Sequence, residues 1–410
     1  MLKKEFSQLT PSEKYITLAL AADKLLPDRP VVFHFYGPPC LSAHANAWVK
    51  KGLESVILAL YEVEAEASTL SDAPPLFRRT YLSSLVRSLR GLIEIGDFRP
   101  TGKLLSDAVF NVMGFAPPQP FNIDKINIEK EASSPLPPLT DKDLRRLMDE
   151  MFTCFKQDIL PNIFYGDEFM AFLKSSKVRI ARPKPDHPPC YYKYHGLGQG
   201  SFSLSENHRK NTISAIRTIM HELCPGHHIY YLYREMLFRW GLLGEETTLD
   251  LVYSAETPVA EGIAEVAPFF IKSMPQDLLC RIEKANDAEH RCKKALYNVW
   301  YHRYIDMSMD EKKAIEYLKD VGNFEFQQID TWLKFIDDWR IYYPSYPVGT
   351  EMVKRHTGME YFYLPRTLQT LEKAPFMASP STSLRTCLSN HGQFILRQAQ
   401  DERTMNNQGG

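Results

Sequence analysis

Residues 216–228 read Ile216-Arg217-Thr218-Ile219-Met220-His221-Glu222-Leu223-Cys224-Pro225-Gly226-His227-His228. A metal-binding helix ordinarily carries two histidines at i and i+4, a spacing that puts both on one face, with a glutamate directly after the first. Here the i+4 position is Pro225, which cannot ligate. On an unbroken helix His227 would be turned about 240° from His221 and lie ~9 Å further along, so the two could not share an ion. Pro225 cannot donate the helical hydrogen bond and pushes Cys224 away from helical angles, while Gly226 tolerates almost any backbone geometry. The pair is therefore read as an inserted kink. A two-residue insertion makes His227 the second ligand and a three-residue one selects His228. We take His227 and keep His228 as the alternative.

Zinc needs a third protein ligand and one position left open for water. Val259-Ala260-Glu261-Gly262-Ile263-Ala264-Glu265 follows downstream, with Glu261 and Glu265 at i and i+4 on one helical face. One can ligate while the other bonds a ligating histidine and sets its tautomer. Glu256 is a weaker candidate, because its segment ends at Pro258. Taken singly, a His-Glu pair or an i, i+4 Glu pair is most often solvated surface. The flanks change that reading. Ile213, Ile216 and Ile219 before the motif, and Ile229, Tyr230, Leu232 and Tyr233 after it, mark a buried helix, and a buried His-Glu-His-His cluster needs partners.

The surrounding pattern is mainly helical. Thr10-Pro11-Ser12-Glu13 opens a helix with a cap, a first-turn proline and a capping-box glutamate. Helical stretches are expected at 42–69, 75–95, 99–113 and 140–160, then over 212–239 except at Pro225-Gly226, and at 255–272, 276–320 in pieces and 322–340. Val178–Arg182 reads as a strand, and the aromatic, polar and glycine alternation of 190–204 suits an edge strand of a small sheet. Prolines 117, 118, 120, 135, 137 and 138 mark a linker over 115–139 between an N-terminal helical half, 1–114, and a metal-binding half, 140–377. The Ser-, Asn- and Gln-rich residues 378–410 read as a disordered tail.

Composition narrows the partners. Apolar residues make up 44% and charged residues 24%, so an ordinary core can form, and the net charge of −1 supplies no field for nucleic acid or an anionic membrane. No apolar run follows the first lysines, and none is long enough to span a bilayer, so a cytoplasmic chain is expected. Its seven scattered cysteines form no paired spacing and are read as reduced.

At the motif the sequence resembles the bacterial family called domain of unknown function 885, whose hallmark is His-Glu-x-x-Pro-Gly-His-His. It stands here as His221-Glu222-Leu223-Cys224-Pro225-Gly226-His227-His228. Glu261-Gly262-Ile263-Ala264-Glu265 matches a second family text in part, with Ile263 where that family has Trp. Weaker echoes are Phe35-Tyr36-Gly37-Pro38 and Tyr343-Pro344-Ser345-Tyr346-Pro347-Val348-Gly349, so the likeness runs to about Lys354. The family's Asp-Thr-Gly-x-His text is reduced to Asp306-Met307-Ser308-Met309, losing that histidine. The resemblance implies a multi-helix zincin of thermolysin or neurolysin type, with a small β-sheet beside the zinc helix, that hydrolyses peptide or similar amide bonds.

Expected roles follow. His221, His227 and Glu261 hold Zn2+, with His228 and Glu265 as alternative or supporting residues, and Glu222 serves as general base. An oxyanion donor is sought among Tyr346, Tyr343, His302 and His228, with Tyr346 preferred because a neutral phenol donates without needing a charge. Arg340, Arg303 and Lys193 are candidate grips for a substrate carboxylate. Two other readings remain: a helical scaffold keeping the cluster as a relic, and an iron oxidoreductase on the same two-His, one-carboxylate set.

Overall fold

The computed structural model describes residues 5–28, 31–72, 77–95, 99–123, 138–163, 166–182, 190–321, 324, 326–356, 362–364, 366–367 and 370. The expected tail at 378–410 and the centre of the Pro-rich linker, 124–137, lie outside them. The chain is mainly helical with two small sheets. Its first helices are α1 (Pro11–Leu25), α2 (Pro39–Val49), α3 (Leu53–Ala67), α4 (Arg78–Glu94) and α5 (Gly102–Met113). There follow α6 (Asp141–Asp158), α7 (Gly166–Leu173), α8 (Glu206–Arg209), α9 (Thr212–Glu222) and α10 (His227–Arg239). The last are α11 (Thr257–Val266), α12 (Gln276–Tyr304), α13 (Glu311–Asp320), α14 (Phe326–Asp338) and α15 (Ser345–His356).

Local chemistry explains the helix ends. Thr10 accepts from the Glu13 amide while Glu13 accepts from the Thr10 amide, and Thr140 and Asp143 repeat this arrangement at α6. The stretch expected as one helix over 42–69 is two, α2 and α3. The chain turns at Lys50-Lys51-Gly52, where Gly52, the N-cap of α3, has φ +81°, a value that favours glycine.

Strands β1 (Val32–Phe35) and β5 (Leu249–Leu251) pair antiparallel. In the second sheet β2 (Lys177–Ile180) and β3 (Cys190–Gly196) flank β4 (Gln199–Leu204). The segment 190–204, expected as one edge strand, is thus a hairpin with β3 at the edge and β4 in the centre. It reverses at Gly196-Leu197-Gly198, all three at positive φ. Glu235 of α10 pins this turn by accepting from the Leu197 and Gly198 amides at 2.9 and 3.1 Å.

Two cores hold the elements. The first joins α1–α5 to β5, the end of α12, α13, α14 and the start of α15, and so draws on both sides of the Pro-rich stretch. The second gathers α6, α7, β3, β4, α9, α10 and α11 with Phe362, Tyr363 and Leu364. In α9 the 3.6-residue period buries Ile213, Ile216, Ile219 and Met220 on one side. That leaves His221 and Glu222 at its C-terminal end, with His221 against Glu261 and Glu265 of α11. Among the described residues no helix is long and apolar enough to cross a membrane. The described cysteines, Cys40, Cys154, Cys190, Cys224, Cys280 and Cys292, are all free.

Candidate metal centre

The motif is two helices rather than one kinked helix. α9 stops at Glu222, the Cys224-Pro225 peptide is cis, and α10 starts at His227. Gly226 makes the reversal possible. Its amide donates to the Met220 carbonyl at 2.9 Å, and a Cβ placed on it would stand 1.7 Å from the His221 carbonyl oxygen. Only a residue with no side chain fits where the chain doubles back on its own last turn. The doubling brings His227 beside His221, with ring centroids 4.9 Å apart and ring planes at 87°.

Glu261 enters from α11. One ligand atom each from His221, His227 and Glu261 lies within 4.8 Å of the others. His221 Nε2 is 3.5 Å from Glu261 Oε2, and His227 Nε2 is 3.7 Å from Glu261 Oε1. Ligands of a tetrahedral ion with bonds of ~2.0–2.1 Å stand about 3.3 Å apart, and both histidine–carboxylate spacings are close to that. The side chains keep little exposure: 21% for His221, 11% for His227 and 8% for Glu261, so the cluster is largely shielded from solvent. Glu261 Oε2 and His227 Nδ1 are buried without a hydrogen-bond partner among the described residues. A buried carboxylate oxygen left in that state favours a cation.

Supporting contacts order the cluster. His221 Nδ1 is 3.0 Å from Glu265 Oε1, which also accepts from the Lys293 ammonium. Burial opposes a charge on His221, but the Glu261 and Glu265 carboxylates beside it outweigh that and raise the imidazole to about 10. Burial alone would raise Glu261 too, yet His227 and His221 hold it well below the ordinary carboxylate range. The pocket is built for positive charge. Tyr342 donates to Glu261 Oε1 at 2.7 Å.

α11 and α15 cross with their backbones in contact. A Cβ on Gly262 would meet the Gly349 oxygen at 2.4 Å, and one on Gly349 would meet the Pro258 oxygen at 1.9 Å. This closeness carries Tyr346, at the start of α15, to the cluster, where its ring lies 5.5 Å from that of Tyr342. Burial, with Glu261, Glu222 and Glu265 nearby, pushes the Tyr346 phenol well above its ordinary range. Glu222 adjoins the same space: its charge acts on His221, Cys190, Tyr192 and Tyr346.

The other residues singled out in the sequence lie elsewhere. His228 is fully buried, with Nδ1 2.7 Å from Tyr192 Oη, and burial pushes it down to about 3. Glu256 takes an ion pair from Arg234 and hydrogen bonds from Tyr81 and Tyr230. Tyr343 donates to the Lys293 carbonyl; His302, nine residues and about 13 Å beyond Lys293 on α12, bonds Asp306 and Ser308 after the helix end. Arg340 is bound by Asp337 and the Arg99 carbonyl, and Arg303 lies 3.7 Å from Glu311. Lys193 sits on β3. Sequence reasoning missed Tyr342 and Lys293. Tyr342 precedes the quoted Tyr343–Gly349 text by one residue, whereas nothing in the local pattern marks Lys293.

No family model matches the chain, and no curated protein matches it in sequence. The likeness to the domain of unknown function 885 family therefore stands on the quoted motifs alone. Among solved structures the chain is similar to a protein from Colwellia psychrerythraea described as a lipoprotein, with TM-score 0.43 and 10% identity over 82% of this chain and 59% of that one. A protein of unknown function from Shewanella oneidensis, also described as a lipoprotein, gives TM-score 0.39 and 12% identity over 82% and 66%. The M32 carboxypeptidase from Deinococcus radiodurans R1 gives 0.35 and 11% over 94% and 98%. The chain thus spans 59% and 66% of the lengths of the first two. At TM-scores this low the likenesses assign no function, which rests on the side chains themselves.

Proposed function

We propose that this protein is a zinc-dependent hydrolase of peptide or similar amide bonds, with His221, His227 and Glu261 as ligands and Glu222 as general base. One observation carries the reading. The three-residue cluster adjoins a half-buried carboxylate, Glu222, that has no hydrogen bond or ion pair among the described residues. When bound, zinc supplies Lewis-acid activation of water and of the substrate carbonyl. Glu222 accepts the proton of the attacking water and returns it to the leaving amine. Tyr346, kept protonated by its surroundings, donates to the carbonyl oxygen as negative charge develops there. Glu265 and Tyr342 hold His221 and Glu261 in place. β3, at the edge of its sheet beside α9, offers an extended backbone against which a peptide can align.

The test pairs metal analysis with a mixed peptide library read by mass spectrometry. Zinc-supplemented protein is expected to hold one zinc per chain and to cleave library members, while Glu222→Gln keeps the metal and loses about 10²–10⁴-fold in turnover. Full activity in that variant removes Glu222 from the mechanism, and absence of zinc from the supplemented wild type overturns the metal site. Zinc without any cleavage favours the relic reading instead.

A further inference from the structure

The outer face of the three-stranded sheet carries a groove of about 720 Å³ that the hydrolytic reading does not use. Arg145 of α6, Lys177 and Arg179 of β2, His195 of β3 and Gln199 of β4 line it. The strand register explains the convergence. Lys177 pairs with Gln199, while Arg179 pairs with Ser201, which pairs in turn with Lys193. Directly paired residues project to the same face, so Arg179 and Lys193 straddle Ser201, with Cα atoms roughly 10 Å apart across two strand spacings. His195 Nε2 lies 2.9 Å from the Ser201 hydroxyl, which closes the floor.

The charge arrangement is one-sided. Like charges on one sheet face repel, and a fold indifferent to them would intersperse acids. The chain has 50 acidic and 49 basic side chains, and several cations elsewhere find partners, as Arg87 and Arg90 do in Glu64 and Lys294 in Glu351. Here no carboxylate lines the groove, and Arg145, Lys177, Arg179 and Lys193 make no ion pair among the described residues. The local field is felt by His195, whose imidazole is pushed down by burial and then by Lys193 and Arg179.

We propose that this groove binds a small polyanion, a molecule with two or more phosphate or carboxylate groups, gripped by the lining cations Arg145, Lys177 and Arg179, with Lys193 in register across Ser201 from Arg179. The volume is that of a small-molecule site. The spread of cations exceeds what one monovalent ion can touch, and the arginine fork suits planar or tetrahedral oxyanions. The site is independent of the metal cluster.

Isothermal titration of the full chain with sodium tripolyphosphate and, separately, with citrate tests it. At roughly 0.02 M NaCl one saturable site per chain is expected, weakening at about 0.15 M as the charges are screened. Equal binding by zinc-loaded and chelator-treated protein separates this site from the metal. The Arg179→Gln/Lys193→Gln double variant is expected to bind about tenfold or more weakly, with its melting temperature as the check on folding. Lys177→Gln serves if the double variant loses its melting transition. Binding of both anions supports a site for oxyanions in general, and binding of tripolyphosphate alone one for phosphates. No saturable binding of either, or binding unchanged in a folded variant, overturns the proposal.

Discussion

The Nδ1 atom of His221 stands 3.0 Å from Glu265 Oε1, and that contact turns the opposite nitrogen toward Glu261, 3.5 Å away. The two carboxylates, one helical turn apart on α11, grip one imidazole from both sides. Glu265 thereby sets which ring nitrogen carries the proton and which presents a lone pair.

Replacing Glu265 with Gln removes the charge that favours this orientation and leaves Lys293 paired with Glu289 alone. Zinc affinity is expected to fall about ten- to a hundredfold, read by competition with a chromogenic chelator. Unaltered affinity would show that the contact does not orient the ligand.

Gly226→Ala places a Cβ against the His221 carbonyl oxygen, where backbone rather than a yielding side chain stands in the way. The reversal between α9 and α10 must open. A loss of about 3 kcal/mol or more is expected in denaturant unfolding. A near-neutral result would mean that α10 can begin elsewhere.

Tyr346 and Tyr342 sit side by side but touch different things, which separates their effects. Tyr346→Phe is expected to lower kcat about a hundredfold with zinc content unchanged. Tyr342→Phe removes a donor to Glu261 and is expected to weaken zinc retention more than turnover of the loaded enzyme. Steady-state kinetics alongside metal analysis distinguishes the two, and a reversed pattern would exchange their roles.

His34 tests the pH dependence of stability. Both its ring nitrogens are buried without hydrogen-bond partners among the described residues. Burial, followed by Lys193 and Arg234, pushes its pKa well below 6.5. Below that value the unfolded chain takes up a proton that folded His34 resists. Its contribution is therefore present above pH 6.5 and lost as pH falls, by about 1.4 kcal/mol per pH unit at most. His34→Leu should flatten the melting temperature between pH 7 and 5. An unchanged slope would assign the acid sensitivity to other groups.

Much of this architecture was legible because its causes are local. The Thr10 and Thr140 caps act within one turn, and the period of Ile213, Ile216 and Ile219 declares the buried face of α9. The break between α2 and α3 is not legible in the sequence because apolar periodicity continues across Lys50-Lys51-Gly52 while the helical backbone does not. The β3–β4 hairpin reads as one strand in the sequence because its turn is anchored by Glu235, far away along the chain. Lys293 carries no local signal and Tyr342 only its place beside the Tyr343–Gly349 text, since their roles depend on helices arriving from elsewhere.

By itself the sequence determined that His221 and Glu222 close a buried helix, that Pro225-Gly226 interrupts it, and that Glu261 and Glu265 share one helical face. Each follows from backbone geometry over a few residues. Only the tertiary structure decided which histidine stands beside Glu261. Successive residues at the start of α10 point about 100° apart, so His227 meets α11 while His228 turns toward Tyr192 on β3. That choice depends on where α11 and the sheet pack against α10, and no stretch of sequence around the motif contains it.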